Sequence, residues 1–377
     1  MPIFDQGYQH WTGVLAGHAF RWMAITNHGV RVGMKSLIMR IFLLLAWAPA
    51  LVLAFFLCVW GLVERKSASV SGLMGILSFL EPEILKHPKL YRVEIWTLFY
   101  AQFLQIELYI SMILILLVGP NLISQDLRFN ALPLYFSRPL RRIDYFLGKL
   151  GIIAAFLAMV VVLPALVAYA LGLLFSLDIT IIRDTFKVLL ASVAYGLVIA
   201  VSAGLLVLAL SSLSRSSRYT ALFWLGFCFV GISLAFVLTQ VAQEQRQHEF
   251  LRRSMDRAEV TQGYSPEAVE RRRAAQAAQQ KIFEEYHAAE LHSIETDWRP
   301  MVSYIANLSR VGERLLGTRA CWDRLSLMRP QSERAQFIFD HAGPQYPWHW
   351  SALVLLGVFG CSAWILNRRV KSLDRLK

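Results

Sequence analysis

Six runs of about 20 apolar residues recur along this chain, each long enough to cross the hydrocarbon core of a bilayer as a helix. They are Ile38–Leu62, Ile95–Val118, Leu150–Phe175, Val188–Leu210, Tyr219–Val241 and Trp348–Leu366. In lipid only helices and closed barrels satisfy every backbone N–H and C=O. No alternation of the barrel kind is present. The sequence therefore reads as an all-α polytopic membrane protein with six transmembrane helices. Composition agrees: 56% of residues are hydrophobic and 17% charged, against about a quarter charged in a soluble domain. A net charge of +12 fits loops beside anionic lipid better than nucleic-acid binding. Of the four cysteines, Cys58, Cys228 and Cys361 lie inside apolar runs and Cys321 stands alone. They imply neither a disulfide framework nor a metal site. The polar and aromatic leader before the first run argues against a cleavable signal peptide.

Orientation follows from Lys and Arg in the short loops. One side carries sixteen of them, among them Arg21, Lys35, Arg128, Arg142, Lys149, Arg215 and Arg368, and the other side seven. Both termini are thus expected in the cytoplasm. The expected organisation is a cytoplasmic N-terminal interfacial segment over 1–37 and helices one to five over 38–241, with a cytoplasmic loop at 120–149. A helical extracytoplasmic insertion over 242–347 precedes the last span, 348–366, and a cytoplasmic tail, 367–377. Trp11, Phe20, Trp22 and Met23 suit a helical turn or two in the headgroup region. Pro49 and Pro164 should bend their spans. Gly196, Ala200 and Gly204 form a small-residue face for close helix approach. In the insertion, Ser265-Pro266-Glu267 is a helix start, the first arm of an expected helical hairpin. Met301–Leu316 aligns Ile305, Leu308, Val311 and Leu315 on one face, to pack on the bundle or a twin subunit.

No Gly-x-x-x-x-Gly-Lys-Ser/Thr loop exists, nor His-Glu-x-x-His, nor Gly-x-Ser-x-Gly, so the chain offers no nucleotide loop or hydrolytic centre of its own. The nine His do not cluster like metal ligands. Glu107 is the acid nearest the middle of a span, with Gln102 and Gln105 close by in sequence. An intramembrane acid is a candidate proton or substrate contact. It is equally a packing residue turned to the bundle or a dimer interface.

Residues 120–150 are amphipathic, basic and punctuated by Pro. Asp126, Arg128, Arg138, Arg141, Arg142, Asp144 and Lys149 keep them out of hydrocarbon. Leu127, Phe129, Leu132, Leu134, Tyr135 and Phe136 offer apolar anchors among these charges. The ordered series Asp126, Ser137-Arg138-Pro139, Arg142, Asp144-Tyr145 and Gly148-Lys149 resembles the loop between the second and third spans of ABC-2-type transporter permeases. Ser211-Ser212-Leu213-Ser214-Arg215-Ser216 is also similar to that family. Asp126 and Asn130 depart from it, standing where many members carry Glu and Gly. The resemblance implies a permease subunit of an ATP-binding cassette exporter in the bacterial inner membrane. It would not be an enzyme by itself and would hold no cofactor. A separate ABC ATPase would bind ATP and Mg, and a second permease copy or homologue would complete the pathway. The helix-in-groove contact with the ATPase would use Asp126–Phe136, with Asp126, Arg128 and Arg138 setting register and Pro139 passing on the push. A proton-coupled secondary transporter using Glu107 and a non-transport membrane scaffold are the alternative readings.

Overall fold

The computed structural model describes residues 20–65, 82–136, 140–176, 178–258, 295–330, 334, 337–338, 341, 343 and 346–369, with residues 82, 136 and 253–258 as backbone alone. The expected helix start at Ser265, the Ser137-Arg138-Pro139 triplet and the tail beyond 369 lie outside the described residues. Among those described there is no strand. The helices are α1 (Arg21–Met34), α2 (Leu37–Leu45), α3 (Ala48–Glu64), α4 (Pro82–Lys86), α5 (Arg92–Arg128), α6 (Leu132–Phe136), α7 (Arg142–Leu157), α8 (Leu163–Ser176), α9 (Thr180–Leu213), α10 (Ser217–Ala258), α11 (Tyr304–Leu316), α12 (Thr318–Ser326) and α13 (Trp348–Arg369). Among the described residues, six helical stretches are long and apolar enough to cross a membrane: Leu37–Glu64, Arg92–Arg128, Arg142–Ser176, Thr180–Leu213, Ser217–Arg252 and Trp348–Arg369.

Every apolar run lies within one of these stretches, and most stretches extend well past the run. Hydropathy marks where lipid-like surface ends, but a helix continues while its polar side chains find partners. Arg92 and Glu94 begin α5 in this way, both buried and both ion-paired. The expected loop 120–149 is accordingly mostly helix: the last turns of α5, the short α6 and the first turns of α7. Pro120 inside α5 removes one backbone N–H from the ladder. The Ser211 hydroxyl of α9 stitches this region, accepting from the N–H groups of Ile123 and Ser124 at 3.1 and 2.9 Å and donating to the Pro120 carbonyl at 3.0 Å. A hydroxyl from a neighbouring helix is how a proline is accommodated within a bundle. α5 ends at Phe129, and Asn130 takes the left-handed conformation (φ 50°). Asn tolerates that conformation best after Gly, so the departure from glycine noted above costs the turn little.

α5 and α9 form the centre, with α7, α8, α10 and α13 around them. The small face of α9 receives the third span: Gly196 lies against Val161 and Val162, and Gly204 against Leu150. The first and third spans both break partway. The first is interrupted at Ala46–Trp47, ahead of Pro49. The third passes through a π-helical turn, Ala158–Val162, ahead of Pro164. The indole N–H of Trp47 donates to the Met159 carbonyl at 3.1 Å, so the two breaks sit side by side. On one side of them α3 packs on α8. On the other α1 packs on α7.

Within 242–347, the apolar face of α11 meets α9, α5, α10 and α13. Ile305 and Leu308 are buried, Val311 is half-buried and Leu315 is exposed. Tyr304 shares a hydrogen bond of 2.8 Å with Ser202 and packs on Phe227. Ser202 lies about 33 Å along α9 from Thr180 at 1.5 Å per residue, so residues 299–316 reach inside the apolar stretches. Gly317 (φ 75°) ends α11 in the left-handed conformation that permits an immediate turn into α12.

Candidate functional site

At one end of the bundle, residues 126–149 close on themselves. Lys149 Nζ meets Asp126 Oδ2 at 2.7 Å, with side chains only 9% and 14% exposed. The Tyr145 hydroxyl donates to the same carboxylate oxygen at 2.7 Å. Tyr135 of α6 stands edge-on to Tyr145, with 5.4 Å between centroids. The Lys149 ammonium lies 5.8 and 5.4 Å from the centres of these two rings. Burial, then the Asp126 charge, pushes the Tyr135 phenol above its usual pKa. A desolvated cation facing two aromatic rings and a carboxylate makes a strong local lock. It ties the end of α5 and the short α6 to α7.

The same turn of α7 holds α1. A side chain at Gly148 would put its Cβ 2.7 Å from Ile25 and 3.1 Å from the Trp22 carbonyl. The Thr26 hydroxyl donates to the Gly148 carbonyl at 3.1 Å. Within Gly148-Lys149, one residue therefore admits α1 and the next ties down α5 and α6. Asp144 accepts from the Arg141 backbone N–H at 3.1 Å and caps the start of α7.

The structure divides the sequence-derived anchors into two sets. Asp126, Tyr135, Gly148 and Lys149 belong to the internal lock. Leu127 is half-buried against the core, and Leu132 and Arg142 are half-buried. Phe129 and Leu134 are each 72% exposed, and the exposed Arg128 lays its guanidinium 5.6 Å from the Phe129 ring centre. Phe136 ends α6, its side chain undescribed. Phe129, Leu134 and Arg128 thus form the outward surface on a braced support.

Gln102, Gln105 and Glu107 do not converge. Gln105 accepts from the Ser309 hydroxyl at 2.6 Å. Gln102 and Gln105 line a cavity of about 720 Å³ between α5 and the α11–α12 region, with Phe99, Trp322, Phe337 and His341. A second cavity of about 320 Å³ lies on the other side of α11, against Ile232 and Phe236 of α10. Glu107 lines neither. It is fully buried, and neither carboxylate oxygen nor the Ser111 hydroxyl has a hydrogen-bond partner among the described residues. The hydrogen bond from Tyr100 to the Ala165 carbonyl, 2.9 Å, sets the register of α5 against α8. Seven residues further on, about 10 Å, Glu107 is level with the start of the π-helical turn.

A cluster that sequence reading missed sits at the opposite end. Buried Arg92 grips Glu64 through two 2.8 Å bonds and also reaches Asp178 at 3.0 Å and Asp184 at 3.3 Å. Trp60 donates to Glu64 at 2.8 Å. Hydrogen bonds from Thr180, then from Arg92, hold the Asp178 carboxyl well below the usual carboxylate range. The cluster joins the ends of four spans. Its members are scattered from 60 to 184, and only the fold gathers them. Among the described residues no group of His, Cys, Asp and Glu is arranged to hold a metal ion. Comparison with profiles of known families, with characterised proteins and with solved structures gives no match to this chain.

Proposed function

We propose that this chain is the membrane-spanning permease of an ATP-driven exporter, coupled to a separate ABC ATPase through residues 126–136. The observation that carries the reading is the braced helical surface: Phe129, Leu134 and Arg128 face outward, while Asp126, Lys149, Tyr145 and Tyr135 fix the segment beneath them. A docking helix that transmits force needs both an apolar anchor for its groove and a rigid connection behind it. The Lys and Arg balance puts this end, with both termini, in the cytoplasm.

In this mechanism ATP and Mg act only in the partner subunit, and no covalent chemistry occurs in this chain. Closure of the ATPase pair displaces α6. The lock passes the displacement to α7, and Gly148 passes it to α1. The paired breaks at Trp47 and Met159 let the cytoplasmic segments of spans one and three turn against their outer segments. The Arg92 cluster keeps the far ends of four spans together, so the motion opens a path past the cavities beside α11. A second permease copy or homologue completes the path.

A second reading draws on the buried Glu107, without a hydrogen-bond partner among the described residues, as an intramembrane proton site in a gradient-driven transporter. Reconstitution in proteoliposomes separates the two. Under the ATP-driven reading, transport requires MgATP and the partner ATPase and persists in Glu107→Gln. Transport that ignores ATP and vanishes in Glu107→Gln establishes the proton-driven reading instead.

A further inference from the structure

We propose that the two cavities flanking α11 are halves of one binding chamber for an amphiphile with an uncharged, hydroxyl- or amide-bearing head. This deepens the transport reading and rests on it. The cavities, about 720 and 320 Å³, fall in the size range of small-molecule sites. Gln105, Ser309 and Glu313 line both, so the wall between them is one layer of side chains thick. The Ser309–Gln105 hydrogen bond spans that wall. If Ser309 turns to another rotamer, the polar tie is released and the halves join.

The lining selects the occupant. Phe99 and Trp322 on one side, and Ile232 and Phe236 on the other, provide apolar and aromatic surface for a hydrocarbon body. Gln102, Gln105, Ser309 and Thr318 provide neutral donors and acceptors for a head group. Among the described lining residues, the charged Glu313, Arg310 and Arg329 are already engaged. Glu313 is bonded to Arg310 at 2.9 Å, and Arg310 also donates to the Tyr346 carbonyl at 2.8 Å. Arg329 lies 5.5 Å from the Phe337 ring centre. A charged head matched to Glu313 or Arg310 would have to break the ion pair between them. A neutral head finds amides and hydroxyls without that cost.

The test uses the full chain in phosphatidylcholine nanodiscs and needs no ATPase. Three diazirine probes share one alkyl chain and carry a glucoside, a trimethylammonium or a sulfate head. The glucoside probe is expected to label peptides containing Phe99–Gln105 and Ser309–Trp322 saturably, at least tenfold above the charged probes. Ser309→Trp, which fills the wall, and Trp322→Ala, which removes the aromatic surface, should each lower that labelling at least fivefold. Ser309→Ala, which only releases the tie, should keep it. Equal labelling by the three heads, or labelling unchanged in both Ser309→Trp and Trp322→Ala, overturns the proposal. Failure of the ATP-driven reading shows separately, as loss of ATP dependence in proteoliposomes with chamber labelling intact.

Discussion

Replacing Lys149 with Met keeps most of the side-chain volume and removes the charge that faces Asp126. At 2.7 Å and an effective dielectric of about 20, the gross attraction is roughly 6 kcal/mol. Desolvation of both ions cancels much of it. What remains after the change is an Asp126 carboxylate, 14% exposed, that among the described residues keeps only the Tyr145 hydroxyl. Breaking one side of a buried pair typically costs about 3–5 kcal/mol. For a chain of 377 residues that corresponds to a fall of roughly 4–6 °C in melting temperature. The double variant Lys149→Met/Asp126→Leu leaves no stranded ion and should regain most of the loss, a coupling energy of at least about 2 kcal/mol. Nanoscale fluorimetry of the four proteins in one detergent measures the cycle. Cysteine labelling at Leu134→Cys reads whether α6 loosens, and faster labelling is expected in Lys149→Met alone. An unchanged melting temperature in Lys149→Met, or additive losses in the double variant, would refute the claim that this pair locks α6 to α7.

Gly148→Leu should cost about 1–3 kcal/mol, because its Cβ would meet Ile25 and the Trp22 carbonyl. Gly357→Ala, with open space around it, should be nearly neutral in the same melting assay. Trp47→Phe removes the donor to Met159 and should lower stability by about 1 kcal/mol. Its larger effect should be on the ratio of transport to ATP hydrolysis, measured in proteoliposomes. Asp178 binds its proton less readily folded than unfolded. Its contribution is therefore full above the ordinary carboxylate pKa, about 3.9, and is lost progressively as pH falls from there through the lower folded-state pKa. Melting curves between about pH 6 and pH 3 should show wild type more stable than Asp178→Asn at the upper end and the two converging at the lower.

The spans were legible because lipid demands long apolar helices, and such runs are visible in one dimension. Their ends were not, because Arg92 and Glu94 are tolerated there only through partners distant in sequence. The lock was half legible: Asp126, Tyr145 and Lys149 stand out by order, but that Asp126 is satisfied within the chain depends on how α5 meets α7. The apolar anchors read alike in sequence. Packing alone separates Tyr135, covered by Tyr145, from Phe129 and Leu134, which remain outside. Pro49 and Pro164 marked the bent spans. That the two breaks meet through Trp47 and Met159 is a property of the bundle. The Arg92 cluster and the cavities beside α11 are tertiary throughout, and no local pattern announces them.

The central claim is that the outward surface at 126–136 docks an ATPase. The direct measurement is affinity purification of the tagged chain from its own membranes, with and without Phe129→Asp/Leu134→Asp, followed by assay of MgATP hydrolysis. Both positions are exposed, so the double variant should keep the wild-type melting temperature. Hydrolysis that accompanies the wild type and is lost with the variant is the predicted result. Equal hydrolysis in both preparations, or none in either, contradicts the account.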